Sequence, residues 1–222
     1  MNHQFWLERW ASDRIGFHKT EVNPALVQYW NTLELRSNSR ILVPLCGKSL
    51  DLLWLHKQGH SVLGIDLSEK AILAFFRENE LTYTVQKSGK HTQFIGTDAA
   101  EGITLICGDI LSLSSALTGK CDGIYDRAAM IALPPEMRAK YGFAVGNLLV
   151  ANACGLLLTL CYPASEKEGP PFSVPSPKYG DNTGFELLES TDLLADPNTA
   201  KRYSLSAISE NIYAVTFEGE MT

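Results

Sequence analysis

The sequence predicts an α/β fold: a doubly wound, mostly parallel sheet with antiparallel strands at its carboxyl-terminal end. From Arg40 onward, short apolar runs alternate with segments of helical spacing, the pattern of βαβ units with helices on both faces. The first of these runs ends in a tight glycine turn, Cys46-Gly47, as the leading strand of such a sheet does. A proline-dense break after Tyr162 is followed by two strand-like stretches, Phe185–Leu188 and Asn211–Phe217, which close the chain as an antiparallel pair.

The elements follow in order. Trp6 and Trp10 are four apart and share a face of an opening helix. A second helix starts near Pro24, with Leu26, Val27 and Trp30 facing inward. Ile41–Leu45 is a buried strand; Leu50, Leu53 and Trp54 stripe the next helix, which Gly59 stops. Ser61–Asp66 is the second strand, and Ser68 caps a helix whose inward stripe is Ile72, Phe75 and Phe76. The polar stretch from Gln86 to Gly102 reads as an excursion of hairpin type. Ile103–Cys107 and Cys121–Asp126 are the third and fourth strands of the alternating series. Pro134-Pro135 opens a helix with Met137, Tyr141, Val145 and Leu148 on one side, and Leu156–Tyr162 is the fifth strand. The break at 163–172, rich in proline, lies beyond a strand's carboxyl end, where such sheets bind ligands.

Composition narrows the function. The 222 residues carry a formal net charge of -6, with 19 basic side chains and no basic run, so nucleic acid is not expected as a partner. The five cysteines lack C-x-x-C spacing. Cys107, Cys154 and Cys161 lie in apolar runs and read as small core residues. The opening MNHQFWLERW has no secretory pattern, and the apolar segment near Leu156–Cys161 is too short to span a bilayer. These features predict one domain over 1–222, with no membrane partner, in a reducing cytoplasm.

The first strand-to-helix turn, Leu45-Cys46-Gly47-Lys48-Ser49, discriminates between nucleotide-like ligands. Gly47-Lys48-Ser49 imitates the end of a phosphate loop, but position 42, where that loop needs glycine, is Leu42. Gly47 is the only glycine in the turn, so the G-x-G-x-x-G of dinucleotide sites is missing too. S-adenosylmethionine carries no phosphate, and one glycine lets the chain turn beneath it. Asp66, at the end of the second strand, either accepts hydrogen bonds from ribose hydroxyls or caps the next helix in competition with Ser68.

The chain resembles the thiopurine S-methyltransferases, in particular their bacterial branch. The matching stretches are Phe5–Trp10, Gly16–His18, Val43–Asp51, Gly59–Ser68, Tyr125–Ala129 and Gly169–Phe172, in family order over most of the chain. The Pro44-Leu45-Cys46-Gly47-Lys48 turn is distinctive, because related methyltransferases carry a glycine-richer version. The resemblance implies S-adenosylmethionine as cofactor, N-terminal helices (about 1–38) covering it, and methyl transfer to aromatic or heterocyclic thiols, or to selenium or tellurium compounds. It implies that Trp10 and Trp6 lie over the cofactor, where an indole face suits a sulfonium cation. Leu45 and Gly47 meet the cofactor at the first turn, Asp66 takes the ribose place usually held by glutamate, and Asp109 and Ile110 hold adenine. Arg127 serves both cofactor and acceptor, and Phe17 flanks the acceptor together with Arg202 or Lys201.

Arg127 also admits a surface ion pair with Asp126 or Asp122. As a site residue it predicts that Arg127→Ala loses activity with little change in melting temperature. Other expectations are that the protein is a monomer, that the tail lacks the family's helix after Val174-Pro175, and that His56 and His60, despite zinc-like spacing, are surface residues. Two rivals remain: a small-molecule O- or N-methyltransferase with Asp126 or His18 as base, and a cofactor-binding domain without chemistry.

Overall fold

The computed structural model describes residues 3–197, 201 and 203–219. The N-terminal part holds α1 (His3–Ala11) and α2 (Pro24–Tyr29). The alternating series then runs β1 (Arg40–Pro44), α3 (Asp51–Lys57), β2 (Ser61–Asp66) and α4 (Glu69–Glu78). A hairpin follows, β3 (Thr82–Ser88) and β4 (His91–Thr97), before β5 (Ile103–Cys107), the short α5 (Ser115–Thr118), β6 (Cys121–Arg127), α6 (Pro135–Asn147) and β7 (Leu149–Cys161). The chain closes with β8 (Thr183–Asp192) and β9 (Ser209–Phe217).

These strands form one sheet in the order β3-β4-β5-β2-β1-β6-β7-β9-β8. The centre, β5-β2-β1-β6-β7, is parallel; the β3–β4 hairpin and the β8–β9 pair are antiparallel additions at the two edges. The excursion expected between Gln86 and Gly102 is this hairpin, beginning earlier because Thr82–Ser88 pairs residue for residue with His91–Thr97. The strand order reverses between β1 and its two neighbours, β2 and β6. A crevice opens there at the strands' carboxyl ends.

The sheet buries a face on each side. One apolar cluster gathers Leu42, Leu63, Ile124, Tyr141, Val145 and Leu157; the other gathers Ile41, Val62, Phe75, Phe76, Trp30 and Tyr125. The helices supply the expected stripes, with shifts. Ser68 caps α4 by accepting from the Ala71 amide at 3.2 Å, and Ile72, Phe75 and Phe76 are fully buried. In α2, Ala25 and Leu26 go inward while Val27 stays 49% exposed, and Asn23 caps the helix. In α3 the buried pair is Leu52 and Leu55 rather than Leu53 and Trp54, because the helix begins at Asp51 and turns that side to the sheet.

Two sequence expectations fail on burial. His60 is not a surface residue: it is 6% exposed and its Nε2 accepts from the Trp30 indole at 3.0 Å, a core contact closing the base of α2. Among the cysteines, Cys46 and Cys121 are the buried ones, whereas Cys107, Cys154 and Cys161 are half-buried. Residues 174–182 form no helix, as the tail predicted. Among the described residues no helix is long and apolar enough to cross a membrane.

A buried polar knot ties α6 and this segment to the sheet. Asp126, fully buried, accepts from the hydroxyls of Tyr141 and Tyr179, each at 2.6 Å, and from the Met130 amide at 3.1 Å. Burial raises its pKa, and these hydrogen bonds oppose the rise. Gly142 permits the approach: a Cβ there would stand 1.9 Å from the Tyr179 carbonyl oxygen. Gly142→Ala is therefore expected to cost roughly 2 kcal/mol of overpacking and to lower the melting temperature by about 5 °C. An unchanged thermal melt would show that the segment yields freely.

Candidate functional site

The crevice is built from the turns that end β1, β2 and β6. After Pro44 the chain does not enter a helix directly. Leu45 adopts φ +48° and Gly47 φ +54°, so the strand doubles back before α3 begins. A residue with a side chain pays sterically for that region, which is why Leu45 and Ala128 (φ +64°) are notable at the ends of adjacent strands. Gly47 is required twice. Its φ favours glycine, and a Cβ there would lie 2.9 Å from Cζ2 of the Trp10 ring.

Asp66 ends β2 with 7% exposure, and its carboxylate joins two turns. Oδ2 accepts from the Gly47 amide and Oδ1 from the Ser68 amide, both at 2.8 Å. Burial pushes its carboxyl up from an ordinary 3.8 to about 6, against the pull of those two amides. The cap of α4 is Ser68, so Asp66 does not compete for that place. Each of its oxygens spends one acceptor position on an amide and retains another.

Arg127 ends β6 and pairs with neither Asp126 nor Asp122. Its Nε donates to Asp51 Oδ2 at 2.7 Å and its Nη2 to Ser49 Oγ at 3.0 Å. The Asp51 side chain is 1% exposed and that of Arg127 14%, so the pair is buried. Asp122 instead accepts from the Arg40 amide. Asp51 also accepts from the Tyr125 hydroxyl at 3.2 Å and from the Asn23 amide at 2.8 Å, fixing the entry to α2. Burial works most strongly against the Arg127 charge, yet Asp51 and Tyr125 together outweigh it and the guanidinium pKa is raised. Asp126 is saturated by its knot, which removes it as a base for O- or N-methyl transfer. His18 has its pKa lowered, first by burial and then by the positive charge of Lys48.

α1 lies across these turns. Trp10 is 5% exposed, and the Phe17 ring stands edge-on to both Trp6 (5.6 Å) and Trp10 (5.5 Å). Lys70 of α4 donates to the carbonyls of Trp10 and Ala11 at 2.8 and 3.3 Å, satisfying the open end of α1. At the other end His3 Nε2 lies 3.2 Å from Asp109 Oδ2.

Together these elements enclose a cleft of about 560 Å³, a size suited to a small-molecule ligand. Trp6, Phe17, Leu45, Asp66 and Arg127 all line it, whereas Trp10 and Gly47 line a smaller pocket beside it with His18 and Asp51. Asp109 and Ile110 are not in the lining. Asp109 caps the turn after β5 through the Leu111 amide, and Ile110 is 2% exposed in the core. Arg202 lies outside the described residues; Lys201 is exposed. The cleft is also lined by Lys19, Lys167, Pro170, Pro171, Tyr203 and Glu210.

Sequence reasoning missed Asp51, Lys70 and Glu210. Asp51 sat inside a matched stretch, and an acid in a helix's first turn reads as a partner for the helix dipole. Nothing local marks Lys70 or Glu210, whose neighbours are distant in sequence.

The buried pair changes what is expected of Arg127. Removing one partner of such a pair strands the other charge, at a cost of about 3 kcal/mol or more. Asp51→Asn and Arg127→Ala are both expected to melt roughly 6–12 °C lower. This corrects the sequence expectation that Arg127→Ala leaves the melting temperature unchanged. A wild-type melt for Arg127→Ala would show that the pair adds nothing to folding.

Comparison with known proteins agrees with this geometry. A family described as thiopurine S-methyltransferase matches residues 1–218. The thiopurine S-methyltransferase of Shewanella piezotolerans is 42% identical over 226 residues, covering 99% of this chain and all of that protein. That of Pseudomonas putida is 44% identical over 221 residues, covering 97% of this chain and all of its own. Among solved structures, the Burkholderia thailandensis 1,6-didemethyltoxoflavin-N1-methyltransferase, with bound 1,6-didemethyltoxoflavin and S-adenosylhomocysteine, shares the fold. It does so at a TM-score of 0.61 and 14% identity, covering 98% of this chain and 87% of that one. On the whole-chain match, the chain belongs to the thiopurine S-methyltransferase family, a family of S-adenosylmethionine-dependent enzymes with the class I methyltransferase fold.

Proposed function

We propose that this enzyme moves the methyl group of S-adenosylmethionine to the sulfur of an aromatic or heterocyclic thiol, with selenium or tellurium compounds as further acceptors. It does so as a single monomeric domain of residues 1–222, covered by residues 1–38, in a reducing cytoplasm that suits its five free cysteines. The observation that carries the reading is the cleft in which Asp66 and Arg127, from strand ends on either side of β1, meet Phe17 and Trp6 beneath α1.

The residues fit the cofactor. Asp66 keeps one acceptor position on each oxygen for a pair of vicinal hydroxyls, and the lining of the cleft requires no phosphate cradle. Leu45 and Gly47 offer backbone at the first turn, and the turn after β5 that carries Asp109 and Ile110, outside the cleft's lining, is assigned to the base. Bound S-adenosylmethionine supplies a methyl group already activated as a sulfonium. The chain's part is alignment: Trp6 and Trp10 present indole faces that favour a desolvated cation, and α1 excludes water. Arg127, fixed by Asp51 and Ser49, places a cation beside the cleft, where it favours an anionic sulfur. Phe17 packs against the acceptor ring.

Incubation with S-adenosylmethionine and benzenethiol is expected to yield the S-methyl product by mass spectrometry, with or without EDTA. Absence of product over a panel of aryl and heteroaryl thiols and selenite would overturn the thiol reading. The Asp66 role gives a pH signature. Its carboxylate form, the better acceptor, prevails above about 6, so calorimetric affinity for S-adenosylhomocysteine should fall between pH 7.5 and 5. Asp66→Asn should bind roughly tenfold or more weakly and lose that dependence. The free protein shows the opposite sign: a carboxyl raised from 3.8 to about 6 stabilises the fold below 3.8 and loses that contribution as pH rises through 6. A pH-independent affinity in the wild type would remove Asp66 from the ligand.

A further inference from the structure

The acceptor end of the cleft holds a carboxylate that no step above uses. Glu210 lies on β9, opposite Leu160 of β7 and Thr191 of β8, and lines the cleft together with Phe17, Lys19 and Arg127. The neighbouring carboxylates are committed. Asp66 holds two amides, Asp51 holds Arg127, and Glu189 accepts from the hydroxyls of Tyr29 and Thr191, each at 2.7 Å. Among the described residues none donates to the Glu210 carboxylate. Glu210 is partly buried beside Lys19 and Arg127, and its oxygens are open to a ligand that carries its own N–H.

The chemistry of a heterocyclic thiol calls for such a group. In its thione form the ring bears an N–H next to the C=S, and the neutral S-methyl product forms only if that proton leaves. A benzenethiolate has no such proton to lose. We propose that Glu210 accepts the ring N–H of a heterocyclic thione and takes its proton in the bound complex, leaving the anionic sulfur that is then methylated. This deepens, and rests on, the methyl-transfer reading above. The sulfur forms the new S–CH₃ bond. The donor's sulfonium C–S bond breaks with its electron pair returning to the donor sulfur. The N–H pair becomes the ring C=N bond, and the proton passes to the Glu210 carboxylate and then to water at the cleft mouth.

The charged groups facing Glu210 are Lys19 before α2, Arg127 on β6 and Glu189 on β8. Burial raises its pKa, Lys19 and Arg127 oppose this, and Glu189 adds to it. A raised pKa makes a carboxylate a better proton acceptor near neutral pH, and its contribution is lost as pH falls through that value.

The test compares wild type with Glu210→Gln, which keeps shape and removes basicity, on 6-mercaptopurine and on benzenethiol. The loss of kcat/KM for 6-mercaptopurine is expected to exceed that for benzenethiol at least tenfold. With S-adenosylmethionine saturating at every pH, the acidic limb of the wild-type pH profile for 6-mercaptopurine is expected to disappear in the variant. A readout independent of turnover is the ultraviolet spectrum of 6-mercaptopurine bound beside S-adenosylhomocysteine: anionic in the wild type, neutral thione in Glu210→Gln. Should the variant not fold, the pH titration of that bound spectrum in the wild type carries the test. Equal losses for the two thiols, or a bound spectrum that stays neutral in the wild type, would overturn the role of Glu210. A wild type that methylates neither thiol would instead overturn the reading on which it rests.

Discussion

The Asp51 carboxylate is the interaction on which the site depends. It stands in the first turn of α3 and gathers the Asn23 amide, the Tyr125 hydroxyl and the Arg127 guanidinium, groups from two distant parts of the chain, the entry to α2 and the end of β6. A carboxylate at 1% side-chain exposure is costly unless paired and hydrogen-bonded. Here each partner is itself fixed by secondary structure. The entry to α2, the end of β6 and the start of α3 therefore cannot shift independently, and Arg127 is held in one orientation beside the cleft.

Asp66 does the same for the other half of the crevice, by a different means. It recruits two backbone amides, one from the turn after β1 and one from its own turn. The turns after β1 and β6 are strained where Leu45 and Ala128 take left-handed conformations, each costing roughly 1–2 kcal/mol. The strain persists because the parallel ladders on either side fix where β1 and β6 stop, and hydrogen bonds such as Cys46 N to Ile65 O extend those ladders into the turn.

The cover over the crevice is attached more lightly. α1 is anchored through its last carbonyls to Lys70, through His3 to Asp109, and through the Trp10 ring against Gly47. The Lys70–Asp13 and His3–Asp109 contacts are exposed enough for water and salt to weaken them. What remains is the burial of Trp10 and the edge-on rings about Phe17. A cover bound mainly by one tryptophan is suited to opening for ligand exchange, since few contacts must break at once.

The parallel core, its helices and the antiparallel close were legible in the sequence because each is written locally: a period of two or 3.6, a cap such as Ser68, a stop such as Gly59. The glycine turn and the acid at the end of β2 were legible for the same reason, since both lie within one βαβ unit. Several features belonged to the tertiary structure alone. Arg127 could be named from its place after a strand, but its partner Asp51 lies 76 positions away, and the partners the sequence suggested were the nearer Asp122 and Asp126. Asp126 looked available until Tyr141 and Tyr179 closed on it, and His60 looked exposed until Trp30 reached it. Glu210 carried no signal at all, because a lone acid on an edge-proximal strand reads as solvated. Periodicity reports which face of an element meets the core. It cannot report which charge on one element meets which on another, because sheet order brings those groups together only once the chain has folded.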